Sequence, residues 1–190
     1  SGPHTILVAS NLPSANDTDI DGTTQPGFAG SPVIELSKAS GSSADVGLSV
    51  GSTQVRGLVI NGFAKGIRGY SSFCRISGNY IGMNVAGTSA MPNAIGVDLT
   101  GSNLVIGGPS PADRNVISGN SAQGIVLTPA TGTSNTISVK GNLVGTAADG
   151  TSSLPNGGVG VEIRTILQGF ASNAAGVTIG GGTAGEANVI

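Results

Sequence analysis

The sequence contains few of the residues that metal centres and nucleophilic active sites require. Its 190 residues include one histidine, His4, and one cysteine, Cys74. A zinc site needs three or four ligands of this kind, and a serine triad needs a histidine beside its nucleophile. One cysteine also excludes an internal disulfide. The composition therefore argues against zinc chemistry and nucleophilic hydrolysis, and we expect no cofactor.

Charged residues and long apolar runs are scarce as well. Only 9% of the residues are charged, and the formal net charge is -2. No basic stripe is present that could release counterions from a phosphate backbone, so a nucleic-acid partner is not expected. No apolar run approaches the roughly 20 residues that a helix needs to cross a bilayer. The sequence therefore predicts no membrane insertion.

The chain is rich in glycine instead, with 33 glycine residues, and many of them lie in sequence runs that repeat. The run GNYIG at 78–82 returns as GNLVG at 141–145, 63 residues later, and GTSAMPN at 87–93 returns as GTSSLPN at 150–156. Self-similarity at a long period is typical of a solenoid, in which neighbouring coils bury one continuous core. We therefore predict a single elongated domain over residues 1–190.

Each coil of this solenoid is predicted to hold three short strands, named here the glycine-led, middle and asparagine-led strands. Their apolar residues alternate, and no apolar residues recur at helical spacing, so helix should be nearly absent. About six coils are expected, with every strand parallel to its copies above and below. Inward residues of the glycine-led strands are Leu48, Ile67, Val97, Ile125 and Val161. The middle strands centre on Ile20, Val55, Ile76, Ile106, Ile137 and Ile179, and the asparagine-led strands on Ile34, Ile60, Ile81, Ile117, Val144 and Ile190.

The beginning and the end of the chain depart from this pattern. We interpret 1–45 as an atypical first coil, with strands at 5–8, 18–22 and 32–36, and 46–190 as regular coils. The sequence stops at 188–190, in the middle of a coil, which would leave an unpaired edge. We therefore expect a fragment of a longer repeat array, whose open end can associate with another copy.

One asparagine opens each of four asparagine-led strands. Stacked one coil apart, the side-chain amides can donate and accept along the column, which satisfies groups that are costly to bury alone. This pattern predicts a structural ladder. Its members are Asn79, Asn115, Asn142 and Asn188.

Several runs together resemble a known family. DGTTQPG at 21–27, PVIEL at 32–36, VRGLVINGF at 55–63 and ISGNYIG at 76–82 resemble the right-handed parallel β-helix repeats of large secreted and surface proteins of bacteria. Pectate lyases and other polysaccharide enzymes share that fold. The resemblance implies an all-β, right-handed parallel β-helix and a secreted or cell-surface location. It implies no catalytic activity, because a fold alone does not carry function.

Two carboxylates are the candidate catalytic residues. Asp98 and Glu162 fall in one outward column two coils apart, roughly 9.6 Å at about 4.8 Å per coil, near the upper edge for an inverting glycosidase pair. The alternative is two exposed ion pairs, Arg68 with Asp98 and Arg164 with Glu162, each worth under about 1 kcal/mol. Arg68, Arg164 and Tyr80 are the candidates for contact with a carbohydrate or another partner.

Three acidic residues near the start of the chain alternate along a predicted strand. Asp17, Asp19 and Asp21 would then share one face and could hold a calcium ion if a carbonyl group or Glu35 joined them. The alternative is that Arg56, in the next coil, neutralises Asp21 without a metal. We predict the contact between Asp21 and Arg56.

An apolar stripe is expected on the outward face of the asparagine-led sheet. It contains Val59, Tyr80, Val116, Leu143 and Val189, more apolar surface than scattered exposure gives. Either the long loops at 83–95 and 146–157 fold back over the stripe, or the stripe is a surface for self-association or for a partner.

Two functions remain open from the sequence. The first is a non-catalytic structural or adhesive module of an exported bacterial protein. The second is a carbohydrate-active β-helix that binds or cleaves a polysaccharide with Asp98 and Glu162. The expected partners are accordingly polysaccharides or other cell-surface components.

Overall fold

The computed structural model describes residues 2–130, 136–164 and 176–190, which form three parallel sheets of six strands each. The strands are numbered β1 to β18 in chain order. The asparagine-led sheet contains His4–Val8, Ile34–Lys38, Leu58–Asn61, Tyr80–Ile81, Val116–Ile117 and Leu143–Val144. The glycine-led sheet contains Ala15–Asn16, Val46–Gly51, Lys65–Tyr70, Ile95–Gly101, Ile125–Pro129 and Val161–Ile163. The middle sheet contains Ile20–Asp21, Gln54–Arg56, Arg75–Ser77, Leu104–Gly107, Ile137–Lys140 and Val177–Ile179.

Consecutive strands lie in different sheets, and every third strand returns to the same sheet. The chain is therefore a right-handed parallel β-helix of six coils with three strands per coil, which confirms the predicted fold class. The helices in the described residues are three short 3-10 turns, at Gly22–Thr24, Pro111–Asp113 and Ala184–Glu186. None of these elements is long and apolar enough to cross a membrane.

The corners between sheets need backbone dihedral angles that only glycine adopts easily. Gly107 ends a middle strand with φ of 81°, and a Cβ atom there would lie 2.1 Å from the carbonyl oxygen of Lys140 in the next coil. Positive φ is nearly free for glycine and costly for residues with a Cβ atom. The high glycine content is thus required by tight corners and by the close stacking of coils.

The core is the inside of the coil, filled by the inward residues of all three sheets. The inward residues predicted for the glycine-led sheet, Leu48 to Val161, do share one register. In the middle sheet, Ile106 pairs with Val139, whereas the predicted Ile137 pairs with Leu104. In the asparagine-led sheet Leu36, not the predicted Ile34, pairs with Ile60.

The interpretation of the first coil was wrong in one respect. The strand His4–Val8 pairs directly with Ile34–Lys38, so PVIEL opens the second coil instead of closing the first. The glycine-led strand of the first coil is Ala15–Asn16, which pairs with Val50 and Gly51. This two-residue strand has no apolar alternation by which the sequence could reveal it.

The asparagines Asn79, Asn115, Asn142 and Asn188 form a continuous column, the first asparagine ladder. The Nδ2 of each of the first three members donates to the Oδ1 of the next, at 3.1, 2.9 and 3.1 Å. Each Nδ2 also donates to a backbone carbonyl of the coil before, as Asn115 does to Ile76 at 2.8 Å. The ladder therefore holds the middle sheet and the asparagine-led sheet together at their shared corner.

A second asparagine ladder, which the sequence analysis missed, lies at the opposite end of the asparagine-led strands. Asn93 Nδ2 donates to Asn120 Oδ1 at 3.2 Å, and Asn120 Nδ2 donates to Asn156 Oδ1 at 2.9 Å. All three amides also donate to carbonyls of the preceding coil. The repeat carried the signal, because Pro92-Asn93 returns as Pro155-Asn156.

The apolar stripe on the asparagine-led sheet is covered by the two long loops. Met83, Val116 and Leu143 are buried together, with Tyr80, Ala148 and Leu154 packed against them. The loops also contact each other, since the backbone N–H of Ala148 donates to the carbonyl of Gly87 at 2.9 Å. Of the two alternatives for the stripe, the structure shows the loops folded back over it, and Val189 is the member of the stripe that stays 44% exposed.

Candidate functional site

The candidate catalytic column runs across the outward face of the glycine-led sheet. Strand pairing places Ser49, Arg68, Asp98, Val126 and Glu162 in successive coils. Asp98 and Glu162 therefore lie two coils apart in one column, as predicted. Val126 occupies the position between them and has no exposed surface.

Asp98 is paired with a lysine that the sequence analysis did not consider. Lys65 Nζ forms an ion pair with Asp98 Oδ2, and Asp98 is only 8% exposed. The predicted ion pair between Arg68 and Asp98 is therefore wrong, although the two residues are direct strand partners. The guanidinium of Arg68 instead lies over the Tyr70 ring, 4.5 Å from its centroid. Lysine can reach Asp98 diagonally because its long stem is flexible.

Glu162 is paired with Arg164, which confirms the second predicted ion pair. Arg164 Nε and one terminal nitrogen donate to the two carboxylate oxygens at 2.8 and 3.1 Å. These hydrogen bonds lower the pKa of Glu162 and raise the pKa of Arg164. A general acid of a glycosidase needs a raised carboxyl pKa, so the shift at Glu162 is in the opposite direction.

Among the described residues, a buried valine and not an open cleft lies between the two carboxylates. An inverting glycosidase needs room for a water and a sugar between its carboxyl groups. Here the buried side chain of Val126 fills the intervening coil, and each carboxylate is neutralised by its own cation. The described residues thus bring the predicted pair into one column, with Val126 between them and a separate cation beside each.

The aromatic residues are placed differently from the sequence interpretation. Tyr80 is half-buried and packs beneath the long loops against the cluster of Met83, Val116 and Leu143. Tyr70 and Phe73 are instead 61% and 69% exposed on either side of a corner of the glycine-led sheet. Phe73 also has φ of 65°, an uncommon backbone angle for a bulky residue.

The three acidic residues near the start do not form a metal site. Asp17 lies in a corner with φ of 51°, and only Asp21 is in a strand. Asp21 Oδ1 accepts from Thr23 N and Thr23 Oγ1 at 2.8 and 2.6 Å, and Arg56 Nε lies 3.5 Å away, as predicted. The Thr23 hydrogen bond, followed by Arg56, lowers the pKa of Asp21. The described residues contain no group of three side chains suited to a metal.

A serine motif that the sequence analysis overlooked lies in the same column. Residues 47–51 read Gly-Leu-Ser-Val-Gly, which fits the pattern of a nucleophile elbow. That motif requires a sharp turn between a strand and a helix, whereas Ser49 lies within the strand Val46–Gly51. The histidine, His4, belongs to a different sheet. Ser49 therefore lacks the strand-to-helix turn that a nucleophile elbow requires.

Comparisons were made with protein-family models, with curated proteins and with solved structures. None of the three comparisons finds a match to this chain.

Proposed function

We propose that this chain is a non-catalytic structural or adhesive module of an exported bacterial protein. The observation that carries the proposal is the column of Asp98, Val126 and Glu162. Its two acids are neutralised by Lys65 and Arg164, and a buried valine separates them. A carboxylate held in an ion pair and lacking an adjacent cleft is poorly suited to proton transfer.

The internal polar groups support the same conclusion. The two asparagine ladders use their amides to join one coil to the next. Buried polar groups that are fully hydrogen-bonded make a structure rigid and specific. Such a rod can hold loops at fixed spacing, which suits display at a cell surface or in a secreted protein.

An assay for new reducing ends tests the absence of catalysis. The chain would be incubated with neutral and acidic polysaccharides beside two variants, Asp98→Asn and Glu162→Gln. We expect no product above the buffer background for any of the three proteins. Product formed by the unmodified chain and lost in both variants would overturn the proposal and establish a hydrolase or lyase.

Polysaccharide binding without cleavage is the second candidate, and the exposed aromatic residues favour it. The side chains of Tyr70 and Phe73 are exposed, and Arg68 lies over one face of the Tyr70 ring. Aromatic side chains combine a large apolar face with low conformational entropy, which suits contact with a ligand. On a glycan array, binding that is lost in Tyr70→Ala and Phe73→Ala but kept in Tyr80→Phe would identify an adhesive surface at this corner.

A further inference from the structure

A small pocket opens beside Arg68 on the outward face of the glycine-led sheet. Its volume is about 180 Å³, and three consecutive coils contribute its walls. The segment before Ala15–Asn16 forms one side, and the strands Val46–Gly51 and Lys65–Tyr70 form the floor. The lining residues are Asn11, Leu12, Ser14, Val46, Ser49 and Arg68.

Arg68 has no acidic partner among the described residues. Every ion pair found among the described residues uses a lysine or an arginine other than Arg68. Asp98, the strand partner of Arg68, is bound to Lys65. The Nε–H of Arg68 is buried and has no hydrogen-bond acceptor among the described residues. A buried donor without an acceptor destabilises a fold and calls for an explanation.

The other polar groups of the pocket are also available to donate hydrogen bonds. Asn11 Oδ1 accepts from the backbone N–H groups of Asp45 and Val46 at 2.9 and 3.3 Å, which leaves its Nδ2 for another acceptor. Ser14 Oγ donates to Ser49 Oγ at 3.2 Å, so the Ser49 hydroxyl hydrogen is free to turn outward. No carboxylate belongs to the lining.

The geometry points to a binding site for a small organic carboxylate, held by the guanidinium of Arg68. A planar guanidinium matches a carboxylate with two parallel hydrogen bonds, and stacking on Tyr70 holds its plane in place before a ligand arrives. Leu12 and Val46 give the pocket apolar walls that suit a carbon skeleton and that an inorganic anion cannot use. This inference does not depend on the proposed structural function.

Nuclear magnetic resonance of the arginine Nε–H groups tests the site directly. The full chain, labelled with nitrogen-15, would be titrated with propionate, glucuronate and inorganic phosphate at constant ionic strength. We expect a saturable shift of the Arg68 Nε–H signal with a carboxylate, because the ligand binds the guanidinium that carries this N–H. If propionate binds more tightly, the ligand is a short aliphatic acid; if glucuronate does, it is a sugar acid.

Two variants give the matched comparison. Binding to both variants is followed by the backbone N–H signals of Val46 and Ser49, which line the pocket, because Arg68→Lys removes the Nε–H itself. Arg68→Lys keeps the charge but loses the planar fork, and should weaken carboxylate binding by about tenfold or more, as expected for a lost charged hydrogen bond. Arg56→Lys alters an arginine already paired with Asp21 and should leave the affinity unchanged.

Three results would overturn the assignment. These are the absence of a saturable Arg68 shift with either carboxylate in the unmodified chain, tighter binding of phosphate than of both carboxylates, or equal affinity in Arg68→Lys. The first result needs no variant, so the inference can be rejected even if Arg68→Lys fails to fold.

Discussion

Asn115 shows how completely a single buried amide is used in this fold. Its Nδ2 donates to Ile76 O at 2.8 Å and to Asn142 Oδ1 at 2.9 Å. Its Oδ1 accepts from both the backbone N–H and the side-chain amide of Asn79, at 3.0 and 3.1 Å. One residue thus connects three successive coils, and it has no exposed surface.

Replacing Asn115 by alanine should lower the free energy of unfolding by about 2–4 kcal/mol, because several buried partners lose their hydrogen bonds together. Asn188→Ala is the control, since Asn188 is half-buried and ends the described part of the ladder. We expect a clearly smaller loss there. Urea unfolding followed by circular dichroism measures both values, and equal losses would contradict a cooperative ladder.

The residue scale also shows what the sequence could reveal about the candidate site. Glu162 and Arg164 are two apart on a strand, so alternation alone places them on one face, and their pairing was predictable. The ion-pair partner of Asp98 was not predictable in this way. Arg68 is the direct strand neighbour, but Tyr70 holds its guanidinium and Lys65 reaches Asp98 diagonally. Strand alternation fixes positions, whereas the competition between two cations depends on side-chain rotamers.

At the scale of elements, the long loops explain why an outward face can be apolar. Val116 points away from the core of the coil yet is only 3% exposed, because Met83 and Leu154 from the two loops close over it. The loops and the stripe form a second, smaller apolar cluster outside the coil. The repeat in the sequence predicted both loops, since each follows an asparagine-led strand.

Val116→Ala should therefore cost about 2 kcal/mol of unfolding free energy, from two lost methyl groups and the cavity that they leave. Val189→Ala makes the same chemical change in the same stripe, where the side chain is 44% exposed, and should cost under about 1 kcal/mol. The difference between the two midpoints in urea is the measurement. Equal costs would show that the loops do not shield the stripe in solution.

The register of a strand was predictable from the sequence where the glycine position and the alternation of apolar residues indicate the same alignment. In the glycine-led strands a glycine directly precedes the first inward residue, so Leu48, Ile67 and Val97 could be aligned in advance. Ile137–Lys140 has two apolar inward residues, Ile137 and Val139, and a pattern of alternation alone cannot choose which one pairs with Ile106. Only the hydrogen-bonded register of the backbone resolves that choice.

At the scale of the whole molecule, contacts join mainly neighbouring coils. Each interior strand pairs with the strand one coil before and one coil after it, and both ladders follow the same axis. In such a solenoid, stability is close to a sum of the intrinsic stability of each coil and the interfaces between neighbours. A coil with two neighbours should therefore open less readily than a coil with one.

Native-state hydrogen exchange should show this gradient along the axis. We expect the slowest amide exchange in the interior strands Ile95–Gly101 and Leu104–Gly107, and faster exchange in the outermost strands His4–Val8 and Val177–Ile179, because local opening breaks fewer pairings there. Ile106→Ala should then speed exchange most in the two coils that touch Ile106, the coils of Ile76 and Val139. If that substitution speeds exchange equally in all six coils, the chain unfolds only as a single unit, and stability cannot be assigned coil by coil.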